Sequence, residues 1–239
     1  LTIDDAFESF YVHAWPLLKK RKIPFILFVS TREVDKYGYM SWDQIRTLVD
    51  AGVTIGNHSS SHGRLWLKDI SSANEDIGEA QNRFERELGF KPQIFAYPFG
   101  EYNLELRDLL EELNFEAAFG QNSGVASAQG DFLTLPRFSL NEHYGSLERF
   151  KLIINTLPMP VRDITPADPI LVRNPPNIGF TIDETIENIE NVACYASNQG
   201  SVQVELLGVS RVELRLSRKL NTGFCRCIKD PHKLAEEVF

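Results

Sequence analysis

Apolar positions along the first two-thirds of the chain fall into two alternating rhythms. Short runs such as "PFILFVS", "VTIGN", "QIFAYP" and "FEAAFG" are apolar almost throughout, the pattern of strands buried on both faces. Longer stretches separate them. "FYVHAWPLLKKRK" carries Val12, Trp15, Leu17 and Leu18 at helical spacing. "SWDQIRTLVDAG" opens with Ser41 and Gln44 in capping-box spacing and closes at Gly52, a C-cap candidate. Ser72 with Glu75 predicts the cap of another helix, closed by Gly89, and "NLELRDLLEELN" predicts one more. "LTLPRFSL" predicts a further strand. This βα rhythm implies a mainly parallel sheet covered by helices, which right-handed crossovers curl toward a barrel. Working groups in such folds collect at the carboxyl ends of the strands.

The pattern changes after residue 157. Six of the chain's twelve prolines lie between Pro158 and Pro176, which ends the helical rhythm. Beyond them the period becomes two. "SVQVEL" and "RVELRLS" alternate around an "LGVS" turn, the mark of a two-stranded hairpin. The expected organisation is an α/β domain over residues 1–157 and, over 158–239, a proline-rich linker with a small β-rich accessory module. The closing "DPHKLAEEVF" reads as helical rather than extended.

Composition narrows the field. With 239 residues, 43% hydrophobic and 24% charged, the chain is an ordinary globular one. It has no apolar run of about 18 residues, so no transmembrane segment is expected. Its net charge of −8 disfavours nucleic acid and suits a neutral or cationic ligand. No signal peptide is visible, but the chain opens inside its first strand, which is consistent with upstream residues missing from it. Cys194, Cys225 and Cys227 form no CxxC pair, so a structural zinc site is not expected. Either Cys194 bridges one of the other two, implying an oxidising compartment, or all three are reduced.

Two strand ends carry candidate chemistry. "LTIDDAFESF" places Asp4 and Asp5 directly after an apolar triplet, where adjacent acids point to opposite sides and can take different tasks. "GNHSSSH" places His58 and His62 four residues apart after "VTIG". On a helical turn that spacing lets both imidazoles reach one metal. Carboxyl ends of parallel strands converge, so a carboxylate and two imidazoles can form a three-ligand site with open positions, the pattern of a catalytic divalent metal.

"TIDDA", "NHSSSH" and "FAYPFGEYN", in this order and each at a strand end, resemble the first three motifs of polysaccharide deacetylases, the NodB-homology group or carbohydrate esterase family 4. The resemblance covers residues 1 to about 157. It implies a distorted (β/α) barrel that removes N- or O-acetyl groups from amino-sugar polymers or their fragments with a divalent metal, zinc first, with cobalt or nickel as substitutes. A glycan is then the expected partner, and a periplasmic or extracellular location follows.

Position by position, the resemblance makes Asp5, His58 and His62 the metal ligands and Asp4 the base that takes a proton from the attacking water. A backbone N–H of "YPFG" (Tyr97, Pro98, Phe99) would hold the oxyanion. The donor there is the residue after the proline, tyrosine in the family and Phe99 here, and a main-chain donor survives that change. Two family features are missing. Ala96 stands where an arginine usually orients the base, so Arg137 in "TLPRFSL" is the candidate guanidinium. No leucine–x–histidine motif follows, and His143 in "SLNEHYG" is the candidate acid for the leaving amine. Of the nearby aromatics Phe7, Tyr97, Phe99, Tyr102 and Tyr144, the motif position makes Tyr97 and Phe99 the leading pocket walls. Two alternatives stand beside deacetylation: hydrolysis of small-molecule amides or imides on the same scaffold, and a carbohydrate-binding protein whose catalysis has decayed.

Overall fold

The computed structural model describes residues 1–171, 173–197, 199–220 and 225–229, with the side chains of Cys225, Arg226, Ile228 and Lys229 left aside. The helical reading of 230–239, with His232, lies outside the described residues. Two compact units divide the chain: Leu1–Gln121 with Asp131–Leu135, and Asn122–Gly130 with Pro136–Phe239.

The first unit is built on a parallel sheet. Its strands are β1 (Thr2–Ile3), β2 (Ile26–Val29), β3 (Thr54–Asn57), β4 (Ile94–Ala96) and β5 (Ala117–Phe119), in spatial order β1-β2-β3-β4-β5. Helices α1 (Trp15–Arg21), α2 (Trp42–Asp50), α3 (Ile70–Leu88) and α4 (Leu104–Glu112) fill the four connections, giving the distorted (β/α) barrel type of fold. Register places the strand ends side by side: Ile3 pairs with Leu27, Val29 with Asn57, and Asn57 with Phe95. The segments leaving β1, β3 and β4 therefore emerge at one edge.

Apolar runs become the core as the pattern requires. Leu27, Val29 and Ile55 pack with Ile45 and Leu48 of α2 and Ala80 and Phe84 of α3. Phe95 and Ala118 pack with Leu106, Leu109 and Leu110 of α4. Helix ends follow the residue chemistry. Ser41 and Gln44 make the reciprocal capping box, and Gly52 (φ +85°) and Gly89 (φ +81°) adopt the left-handed conformation past their helices. Gly56 lacks a side chain for a steric reason: a Cβ there would stand 2.3 Å from the Phe28 ring.

Three local expectations need correction. α3 begins at Ile70, with Asp69 rather than Ser72 as its cap; the Asp69 carboxylate accepts the Ser72 amide at 2.9 Å. Within "FYVHAWPLLKKRK", the first turn, Phe10–Ala14, is a wide π-type turn and Val12 and Leu17 face outward, while Trp15 is buried. "LTLPRFSL" is not a strand. Leu133 sits in a short 3₁₀ turn, Leu135 makes one bridge to Phe119, and Pro136, with no N–H to give, ends the pairing.

The second unit holds α5 (Leu147–Ile154) and strands β6 (Val161–Thr165), β7 (Ile178–Ile182), β8 (Val192–Ala196), β9 (Gly200–Leu207), β10 (Arg211–Arg215) and β11 (Cys225–Lys229). They form one six-stranded sheet in the order β11-β8-β9-β10-β7-β6, with all five pairings antiparallel. β9 and β10 are the expected hairpin, with Val212 and Leu214 inward. Cys194 and Cys227 face each other on β8 and β11 and are joined by a disulfide, which resolves the choice left open by the sequence.

Candidate metal centre

Asp4 and Asp5 follow β1 directly, and the chain turns there: Asp5 (φ +72°) and Ala6 (φ +57°) are left-handed although neither is glycine. The turn is tied down where the Met40 amide donates to Ala6 O at 2.9 Å. Left-handed backbone costs a non-glycine residue about 1–2 kcal/mol, and such strain gathers at functional sites. Here it breaks the strand and turns Asp5 out of line with Asp4.

The second strand end reaches the same place. His58 is buried and donates from Nδ1 to Ala96 O at 2.7 Å, leaving Nε2 as its outward nitrogen. That nitrogen lies 3.6 Å from Asp5 Oδ1, and His62 Nε2 lies 3.2 Å from the same oxygen. A tetrahedral site with bonds of about 2.0–2.1 Å separates its donors by about 3.4 Å. One ligand atom from each of Asp5, His58 and His62 lies within 4.8 Å of the others, so the donor set fits a divalent cation in both chemistry and spacing. Burial holds the His58 imidazolium below its ordinary range, against the pull of Asp4 and Asp5 and with His62 helping, so the ring is neutral near pH 7. The carbonyl on Nδ1 fixes the tautomer, as hydrogen-bond acceptors behind metal-binding histidines do.

The two histidines do not share a helical turn, as their spacing suggested. Residues 58–62 are a tight loop in which Ser59 (φ +66°) and His62 (φ +51°) are left-handed. Three serines with no nucleophilic reading hold this loop. Ser59 donates its amide to Asn57 Oδ1 and accepts the His62 amide on Oγ at 2.9 Å. Ser60 and Ser61 donate their amides to Asp76 Oδ1 at 2.9 and 3.0 Å. Thr31 and Arg32, at the end of β2, donate backbone amides to the carbonyls of Ser59 and Ser60.

The third motif supplies a backbone donor and a wall. Tyr97 gives its amide to Phe119 O, Gly100 to Tyr97 O and Glu101 to Pro98 O; Pro98 has none. The Phe99 amide is the one these turn bonds leave over. Phe99 is left-handed (φ +60°), and its half-exposed ring lies 4.7 Å from the His62 ring. The Arg64 guanidinium covers that ring at 4.6 Å, held by an ion pair to Glu101, which also accepts Trp66 Nε1. Sequence reasoning missed this Arg64–Glu101–Trp66 group. Tyr97 is no wall: its ring is fully buried, stacked on Tyr102 at 4.9 Å, and its hydroxyl donates to Leu133 O. Phe7 lies against Tyr39 at 5.0 Å.

Arg137 and His143 both belong to the second unit. Arg137 is half-buried and donates its amide to Asn122 O; it leaves no strand, since "LTLPRFSL" forms none. His143 and Tyr144 are exposed, their amides capped by the Asn141 side chain at 2.9 Å each.

The sequence model for polysaccharide deacetylases matches residues 1–118, the stretch that contains Asp4, Asp5, His58, His62 and Phe99. These residues belong to the polysaccharide deacetylase family. Among relatives of this polysaccharide deacetylase domain, a poly-β-1,6-N-acetyl-D-glucosamine N-deacetylase of Staphylococcus aureus (strain MRSA252) is 21% identical over 156 residues, covering 59% of this chain and 54% of its own length. The chain spans about half the length of two of the curated relatives it matches and about a fifth of another. The Streptococcus pyogenes deacetylase PplD, solved with acetate, shares the fold with a TM-score of 0.61 at 23% identity, covering 65% of this chain and 70% of its own. IcaB from Ammonifex degensii superposes with a TM-score of 0.53 at 28% identity, covering 59% and 66%.

Proposed function

We propose that the deacetylase domain hydrolyses the acetyl groups of an N-acetylated amino-sugar polymer or oligomer, with a divalent cation, zinc first, held by Asp5, His58 and His62. The observation that carries this reading is the meeting of one carboxylate and two imidazoles, 3.2 and 3.6 Å apart, beside a second aspartate leaving the same strand. The named N-deacetylase activity of the Staphylococcus aureus relative supports the substrate class. A cation bound there supplies Lewis-acid polarisation of the acetyl carbonyl and lowers the pKa of water to about 7.

The chain's own residues do the rest. Asp4 accepts a proton from the attacking water, whose oxygen adds to the acetyl carbon. The Phe99 amide donates to the oxygen on which negative charge develops. The C–N bond then breaks, and a proton passes to the leaving nitrogen, giving acetate and a free amine. His143 is proposed as the donor of that proton and Arg137 as the group that orients Asp4, both on motif order alone. Residues 158–239, the proline-rich stretch and the β-rich sheet, are proposed as an accessory module that places the glycan. Its disulfide supports a periplasmic or extracellular setting.

Acetate release from N-acetylglucosamine oligomers by the zinc-loaded protein tests the reading. One acetate per new amine, lost with a chelator and restored by zinc, is the expected result. Turnover of small amides alone would move the assignment to a small-molecule amidase. Glycan binding without acetate would make it a decayed binding protein. His143→Ala should slow amide cleavage more than ester cleavage, since an amine leaves poorly unprotonated. Equal slowing would remove His143 from the acid role.

A further inference from the structure

Along α3 the buried positions are Ala73, Asp76, Ile77, Ala80 and Phe84, one apolar stripe with a carboxylate in it. A carboxylate is tolerated in such a stripe only when its oxygens are satisfied. The Asp76 side chain is 5% exposed, and its oxygens are met by Ser60, Ser61 and Lys68. Oδ1 accepts the Ser60 and Ser61 amides at 2.9 and 3.0 Å, and Oδ2 accepts the Ser61 hydroxyl and Lys68 Nζ, the latter at 2.7 Å. Lys68 also reaches Ser61 Oγ at 3.4 Å. The loop so gripped joins His58 to His62, and its two left-handed residues, Ser59 and His62, flank the gripped pair.

We infer that Asp76 is a positioning residue, one that presets His62 against Asp5 and His58 by clamping the peptides of Ser60 and Ser61. This rests on the reading that those three side chains hold a cation. The clamp works through geometry. Two consecutive amides aimed at one oxygen fix the peptide planes on either side of Ser60. Ser59, thereby locked, accepts the His62 amide on its own hydroxyl. Strained backbone persists only where its surroundings over-determine it, and this loop is held from the end of β2, the end of β3 and α3. Of these holds only the one from α3 carries a charge. A preset ligand shell binds its cation without first ordering the chain. Asp76→Asn keeps size and shape but turns an acceptor into a donor facing the Lys68 ammonium or the loop amides.

The test is a competition titration of cobalt(II) against a chromophoric chelator, with hydrogen exchange of amides 58–63 in the metal-free protein. Asp76→Asn should weaken cobalt binding about 10- to 100-fold, alter the visible cobalt spectrum and speed exchange at Ser60 and Ser61. Ser61→Ala, which loses the hydroxyl's bonds to Asp76, Lys68 and the Gly63 amide but keeps both loop amides on Asp76 Oδ1, should move each readout the same way by less. Leu109→Ala, a core change on α4, should lower the melting temperature with cobalt affinity intact. Wild-type affinity and wild-type exchange in Asp76→Asn would overturn the inference, as would an equal affinity loss in Leu109→Ala. If the wild type bound no cobalt, the cation reading would fail on its own. Exchange at Ser60 and Ser61 would still decide the clamp.

Discussion

The two units satisfy their backbones in opposite ways. The second is an antiparallel sheet whose strands alternate inward and outward, as Val192, Cys194 and Ala196 do on β8, stapled by one cross-strand disulfide. The first is a parallel sheet with regular interiors and irregular strand ends. Ten described non-glycine residues have positive φ, and five of them, Asp5, Ala6, Ser59, His62 and Phe99, lie at the three strand ends that carry the candidate metal centre. The second unit has two, Asp163 and Asn188, of the residue types that tolerate this conformation. Five of the first unit's eight such residues therefore sit at the candidate centre, while the second unit shows the ordinary strain of turns. The lesson is that the candidate centre rests on a few costly backbone turns and on the polar groups that hold them.

Changes at the strand ends should strike chemistry first, and changes in the sheet of the second unit should strike stability first. The largest expected effect is that of Asp4→Asn, which should lower kcat about 10²- to 10⁴-fold with cation stoichiometry unchanged. Steady-state kinetics beside elemental analysis checks it, and near-wild-type turnover would remove Asp4 as the base. Next is reduction of the Cys194–Cys227 disulfide, which closes a loop of 33 residues. It should cost the second unit about 3–4 kcal/mol, read by denaturant unfolding, while cation affinity stays put. Loss of affinity on reduction would show the two regions to be coupled.

A smaller effect is a pH dependence. Burial alone would raise the Asp76 carboxyl, but the bonds from Lys68, Ser61 and the Ser60 and Ser61 amides outweigh it and hold the group below the usual carboxylate range. A carboxyl depressed in the folded state contributes stability that is fully present above its unfolded value, near 3.9, and lost as pH falls through its folded value. Metal-free wild type should therefore lose melting temperature more steeply than Asp76→Asn from about pH 4 downward; parallel curves would contradict this. Smallest of all is Arg32→Ala. Its ion pair with Glu79 is half-exposed on both sides and contributes at most about 1 kcal/mol, whereas the Arg32 backbone bond to the loop survives the change.

Much of this was legible in the sequence. Parallel strands announce themselves as apolar runs because both faces are covered, and the helix ends carried Ser41, Gln44 and Gly89 as markers. The candidate trio was legible because few residue types can bind a cation and these three follow strands. The loop was not. Nothing in the identities of Ser59 and His62 signals a left-handed backbone, so an HxxxH spacing read as a helical turn. Asp76 was hidden for the opposite reason: an acid on a helix reads as solvent-facing unless one notices that 73, 77, 80 and 84 make it part of the apolar stripe. Strands β7 and β8 went unread because "IGFTI" and "VACYA" lie among prolines and turns without a clear period.

The central claim is that Asp5, His58 and His62 share one cation. Anomalous diffraction at the zinc edge, from crystals of this chain grown with zinc, tests it most directly. One peak within about 2.0–2.2 Å of a carboxylate oxygen of Asp5 and of Nε2 of both histidines is the predicted result. A zinc peak elsewhere with none between these three side chains, or a bound ion that leaves His58 Nε2 outside its ligand shell, would contradict the account.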